Sequence, residues 1–268
     1  MRVVHRHDAA RADHGVALPA RDLVIGWSLL IALAALAWVL TVRQARGMGV
    51  EPGTMGLTLP LFLVFWVVMM AAMMLPSVAP VAVTWARAIG RQSAGWTRMW
   101  RTGQFVAGYL LSWSVLGVVA YGGLLLTGNL VTRYPGSGRW LGAAAFVLAG
   151  LYELGPLKRV CLRHCRDPMT HLMQYANFRP FARDLRVGAH HGTYCVGCCW
   201  ALMVVLIPLG VMNIAVMAGL AAVIFVEKLW RLGPAFSRVV GVVLICLGVL
   251  ALVTGWPLPG LHPTMTQM

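Results

Sequence analysis

Long apolar runs, separated by short segments that carry most of the cations, dominate this chain of 268 residues. A bilayer crossing takes about 20 apolar residues. Runs of that kind extend over 23–42, 57–83, 104–127 and 140–157. A further stretch, 194–226, is far too long for one crossing at about 1.5 Å of rise per residue. It holds Pro208, Leu209 and Gly210 at its middle, which are turn residues. It therefore reads as two helices, 193–209 and 212–227, with a last helix over 236–255. In lipid every backbone polar group must be satisfied within the protein, and uninterrupted runs of this length do so as helices. The predicted fold is all-α, a polytopic transmembrane bundle of about seven helices.

The composition agrees. It is 59% hydrophobic and 11% charged, whereas a soluble chain is nearer a quarter charged. The net charge is +14. The cations are scattered between apolar runs rather than gathered in one patch, so nucleic acid is not an expected partner; the lipid bilayer is. Placing the N-terminus inside puts 18 of the 22 Lys and Arg on the inner side, Arg43, Arg46, Arg133 and Arg139 being the other four. The positive-inside rule favours that arrangement, with seven crossings and the C-terminus outside. Three parts follow: a cytoplasmic polar tail over 1–22, a helical domain over 23–256 with a cysteine-rich cytoplasmic loop at 158–193, and a short outer tail over 257–268. The expected location is the inner (plasma) membrane, multi-pass. The first 22 residues are polar and the first run is long enough to stay in the membrane, so no cleaved signal peptide is expected. Internal repeats are not visible. The segment 85–101 alternates Trp85, Trp96 and Trp100 with four Arg residues and reads as an interfacial helix against anionic lipid.

Three clusters bear on chemistry. Met69, Met70, Met73 and Met74 fall within six residues, just before Pro76 and Pro80. Residues four apart share a helix face, pairing Met69 with Met73 and Met70 with Met74. Thioether sulfur is a soft ligand suited to Cu(I), and methionine is also an adaptable packing residue. Glu153 precedes Lys158, Cys161, His164 and Cys165; if helix resumes after Pro156, both thiols lie on one face. Glu153 reads either as a ligand or as the partner of Lys158 or Arg159. The third cluster is His190, His191, Cys195, Cys198 and Cys199, with Met203 one turn beyond. It is expected where the inner loop enters a helix, and a helix N-terminus favours thiolate, the metal-binding form. Asn213 is expected to cap the next helix or to close the outer hairpin, and Glu227 closes that helix beside Lys228. Lone Cys246 reads as a small core residue. Five of the six cysteines fall on the predicted reducing side, which argues against a disulfide framework.

The blocks 66–76, Leu151-Tyr152-Glu153 with Pro156-Leu157-Lys158, Cys161 with Cys165, 195–200 with Met203, and Met212-Asn213 with Glu227-Lys228 resemble the bacterial and archaeal predicted metal-binding integral membrane proteins, a domain family of unknown function. Glu153 stands where that resemblance leads one to expect Gln. The resemblance implies metal binding and supplies no reaction.

The leading expectation is a soft metal, Cu(I), handled or delivered through Cys195, Cys198, Cys199, Cys161 and Cys165. The four methionines of the second helix, Met203, His190, His191, Glu153 and Glu227 are further candidate ligands. Zinc on Cys161, Cys165, Cys195 and Cys198 is the alternative metal, since Zn²⁺ takes thiolates but not thioether. A metal donor or acceptor protein is the implied partner. A membrane thiol–disulfide oxidoreductase using Cys195 and Cys198, or an assembly subunit with a zinc-binding loop, remains open beside it. No nucleotide-binding loop or nucleophile–base arrangement is visible. The sequence leaves the oligomeric state open.

Overall fold

A computed structural model describes residues 20–46, 53–54, 56–89, 95–134, 136–167, 182–256 and 258–261. These residues form helices and no strand. In chain order they are α1 (Ala20–Ala45), α2 (Leu59–Ile89), α3 (Gly95–Arg133), α4 (Ser137–Leu154), α5 (Pro156–Arg166), α6 (Arg183–Val204), the single turn α7 (Leu206–Leu209), α8 (Ile214–Leu229) and α9 (Gly233–Thr254), followed by a 3₁₀ turn at Pro259–Leu261. The polar N-terminal tail, the middle of the expected cysteine-rich loop and the end of the outer tail lie outside the described residues.

The all-α expectation holds. Five helices are long and apolar enough to cross a membrane: Val24–Ala45, Leu59–Ile89, Gly95–Arg133, Arg183–Leu209 and Gly233–Thr254. The pair α4 and α5 meets the same test as one span bent by 63°. The bend sits at Gly155, whose extended backbone lets Pro156 begin α5 at a position that needs no N–H donor. Helix α8 has 16 residues, about 24 Å at the usual rise.

Helix α2 forms the centre. Trp66, Met69, Met70, Met73, Met74, Val78, Ala79 and Ala82 on it are all buried, with α1 laid along one side. Pro76 and Pro80 lie inside α2, and the helix runs through both. Ser77 Oγ donates to the Met74 carbonyl, and Thr84 Oγ1 to that of Pro80.

Contacts fix the relative directions. Tyr121 meets Leu57 and Phe62, Trp66 Nε1 donates to the Trp113 carbonyl at 2.8 Å, and Trp85 stacks on Phe105. Descending partners on α3 against ascending ones on α2 make the pair antiparallel. Against α6, α3 runs parallel: Gly188 lies on the Phe105 backbone, and Gly192 on Tyr109 and Ser112. Both glycines sit where a Cβ would strike the neighbouring helix, so their lack of a side chain permits the close approach. Helices α4 and α9 pack through Gly150 against Gly241, and Gly248 against Ala143 and Val147. Gly138 and Gly142 close on Leu261 and Leu258.

Two helices begin about three turns before their apolar runs do, α3 at Gly95 and α6 at Arg183. The described ends of the expected inner loop, 158–166 and 183–193, are therefore helical. Trp96 and Trp100 are exposed, as an interfacial segment requires, but Trp85 is buried and donates to Asp184 Oδ1 at 3.1 Å. Arg101 Nε pairs with Asp184 Oδ2 at 2.8 Å. That part of the segment is an internal clamp between α2, α3 and α6. Cys246 is exposed on α9, not a core residue. Asn213 caps α8 as expected, its side chain accepting from the Val216 N–H.

Candidate metal centre

The centre is built on α6. Helical spacing places Cys195, Cys198 and Cys199 on one face, and their sulfurs all lie within 4.8 Å of one another. All three are buried free thiols. Cys198 Sγ is 3.2 Å from Cys199 Sγ and donates to the Cys195 carbonyl at 3.3 Å. With metal–sulfur bonds of about 2.3 Å, two thiolates on opposite sides of one ion stand roughly 4.6 Å apart. The three sulfurs lie within 4.8 Å of one another, with Cys198 and Cys199 closer than that span at 3.2 Å.

Helix α5 contributes a second layer. Cys165 Sγ lies 3.7 Å from Cys198 Sγ. Cys161 packs against Gly197, where a Cβ would come within 2.8 Å of its sulfur. The predicted shared face of Cys161 and Cys165 is present and turned to α6. The helix resumes at Pro156, and this lets the two thiols reach across.

The expected electrostatics change. Cys195 lies twelve residues inside α6, not at its start. The helix dipole acts within the first turn and cannot bias this thiol. Side chains from three other helices supply the local field instead. Lys228 of α8 donates its Nζ to Cys195 Sγ at 2.9 Å and to Ser77 Oγ of α2 at 3.2 Å. The Tyr109 hydroxyl of α3 is 2.9 Å from the same sulfur.

Glu153 and Glu227 stand in a separate node. Lys158 Nζ lies 2.7 Å from Glu153 Oε1 and 2.8 Å from Glu227 Oε2, with all three side chains essentially inaccessible to solvent. Ser237 Oγ of α9 donates to Glu153 Oε2 at 2.7 Å. The reading of Glu153 as the partner of Lys158 is the one this geometry matches. Arg166 Nη1 then donates to the Glu227 and Lys228 carbonyls, fastening α5 to the end of α8.

His190 and His191 sit on α6, one turn before the thiols, and pack with aromatic rings. His164 stacks on Tyr194 at 3.7 Å between centroids; His190 and His191 lie 5.7 and 6.1 Å from His164. His191 also faces Phe105 and Tyr109. Met69, Met70, Met73, Met74 and Met203 are all buried in the core. Thus the structure brings Cys165 of α5 to the three thiols of α6, sets Cys161 against Gly197, stacks the histidines on neighbouring rings, and holds the two carboxylates on Lys158.

Spacing alone did not single out Lys228, Tyr109 or Ser77. One signal was available for Lys228. Residues adjacent in a helix do not face each other, so Glu227 and Lys228 cannot satisfy one another and each needs its own partner.

Long apolar helices around a buried, soft-donor cluster define a class, the helical proteins equipped to hold a thiophilic metal ion in their interior. A family model described as a copper chaperone, PpoB2, matches residues 63–251, which span α2 to α9 and every residue of the cluster. The chain belongs to that copper chaperone family. No curated protein and no solved structure matches it.

Proposed function

We propose that this chain is a multi-pass protein of the inner (plasma) membrane that takes Cu(I) as cargo on Cys195, Cys198 and Cys199 and passes it to an acceptor protein. The observation that carries the reading is the buried set of three sulfurs within 4.8 Å of one another. Thiolates and thioethers are the soft donors that suit Cu(I), and family membership points to the same metal. Binding replaces thiol protons with the ion, and release to an acceptor exchanges one thiolate for another. Neither step needs an electron.

Methionines would serve as a relay beside the thiols. Ser77 and Cys195 share the Lys228 ammonium and so stand at one level of the bundle. Helix α2 runs opposite to α6, so residues before Ser77 rise in the same direction as residues after Cys195. Met74 then lies about 4.5 Å above that level, Met70 about 10.5 Å and Met203 about 12 Å, at 1.5 Å per residue. Met69 and Met73 occupy the adjoining buried face of α2. His190, His191 and His164, on the opposite side of the cluster, are placed to receive an ion entering from the α5–α6 end.

The test is elemental analysis for copper, zinc and iron of protein purified without oxygen under reducing conditions. Near-stoichiometric copper is expected in the wild type, and its loss from the Cys198→Ser, Cys199→Ser double variant with helical content unchanged. Equal copper in wild type and double variant would overturn the proposal. Zinc alone would transfer the site to a structural set that includes Cys165.

A further inference from the structure

Lys228 is a buried cation whose two hydrogen bonds go to Cys195 Sγ and Ser77 Oγ, neither of them a carboxylate oxygen. Glu227 lies next to it in sequence but turns its carboxylate to Lys158. A buried ammonium is stable only beside compensating negative charge or strong acceptors. At this position the thiol cluster is what the ammonium touches. Three helices converge to hold it there: α8 carries it, α2 anchors it through Ser77, and α6 presents the sulfur.

We propose that Lys228 is a metal-selecting positioning residue, its ammonium held against Cys195 so that the thiol cluster favours a monovalent ion over a divalent one. This rests on the reading of the cluster as a metal centre. For a given number of thiolates, a divalent ion brings one more positive charge to the site than Cu(I). Lys228 repels that extra charge across a distance of one sulfur atom, in a place where water does not screen it. The Glu153–Lys158–Glu227 node acts on either ion alike in kind whether or not Lys228 is present, so comparing variants at Lys228 isolates the ammonium.

The test uses the full chain in detergent, titrated with Cu(I) against a chromophoric Cu(I) chelator and with Zn²⁺ against a zinc chelator. The variants are Lys228→Met, which removes the charge, Lys228→Gln, which removes it but keeps a donor towards Cys195 and Ser77, and Lys228→Arg, which keeps it. The ratio of Cu(I) to Zn²⁺ affinity is expected to fall at least about tenfold in both neutral variants and to return towards the wild-type value in Lys228→Arg. A purely structural role would weaken both metals in parallel and leave the ratio where it was; that result overturns the proposal. If Lys228→Met does not fold, Lys228→Gln carries the same comparison. Wild-type protein that binds neither metal defeats the metal-centre reading itself, a different outcome from metals that bind with a ratio indifferent to Lys228.

Discussion

Gly197 is one point where the two cysteine-bearing helices touch. A Cβ there would lie 2.8 Å from Cys161 Sγ, and the Gly197 carbonyl accepts a hydrogen bond from the Tyr152 hydroxyl. Gly197→Ala is therefore expected to push α5 from α6 and to destabilise the protein by roughly 1–3 kcal/mol, the usual cost of overpacking, read as a lower Tm in detergent. Cys165→Ser separates the two metals on other grounds. Its sulfur is 3.7 Å from Cys198 Sγ but outside the three that lie mutually close. Copper stoichiometry is expected to survive this change, whereas a four-thiolate zinc site would lose its metal; elemental analysis of the variant distinguishes them. At this scale the thiols were legible because i, i+3 and i+4 spacing fixes a helix face whatever the tertiary structure. Lys228, Tyr109 and Ser77 were not, because their link to Cys195 joins four helices and no local spacing encodes it. Glu153 was legible only as an alternative, since a buried carboxylate near a lysine in sequence serves equally as ligand or as ion-pair partner until its geometry is known.

Lys158 acts between elements. It joins Glu153 at the end of α4 to Glu227 at the end of α8, and through Ser237 the node reaches α9. Removing one partner of a buried ionic group leaves uncompensated charge, at a cost of roughly 3–5 kcal/mol. Lys158→Met is expected to lower stability by about that much, and the triple change Lys158→Met, Glu153→Gln, Glu227→Gln to recover a large part of it. Thermal unfolding followed by circular dichroism measures both; a single variant as stable as wild type would mean that the node does not hold these helices together. The elements themselves were largely legible. Each apolar run contains the body of a helix, and the hairpin at Pro208–Gly210 divides the long stretch where turn chemistry placed it. Helix starts were not legible for α3 and α6. Hydropathy reports the part of a helix that suits lipid, whereas Arg98, Arg101, Arg183 and Arg186 form helix readily and lie beyond that part. The early start of α6 also displaced the thiols from the helix terminus and moved the source of their electrostatic environment to other helices.

Topology belongs to the whole molecule, and the contact between α5 and α8 bears on it. Arg166, at the last turn of α5, donates to the carbonyls of Glu227 and Lys228 at the last turn of α8. The ends of these helices therefore lie at the same end of the bundle. If α6 crossed the membrane and α8 did not return, the segment after α8 would emerge on the side opposite α5, and this contact would be impossible. The hairpin of α6 and α8 thus supports the charge division in which the α5–α6 connection and the α8–α9 connection share the inner side and the chain ends outside. Helix α8 is only about 24 Å long, short of a hydrocarbon core of roughly 30 Å. Its end, with Glu227 and Lys228, then sits within the bundle rather than at the water boundary, which is where a metal centre shielded from solvent needs its cation. The expected outcome is an epitope within 168–181 that is reached by antibody only after the membrane is permeabilised, together with an active alkaline phosphatase fused after residue 268 in a bacterial host. An epitope accessible from outside in intact cells, or an inactive phosphatase accompanied by a fluorescent GFP fusion at the same end, would reverse the orientation or change the parity of the crossings. Either result would overturn the charge division read from the sequence.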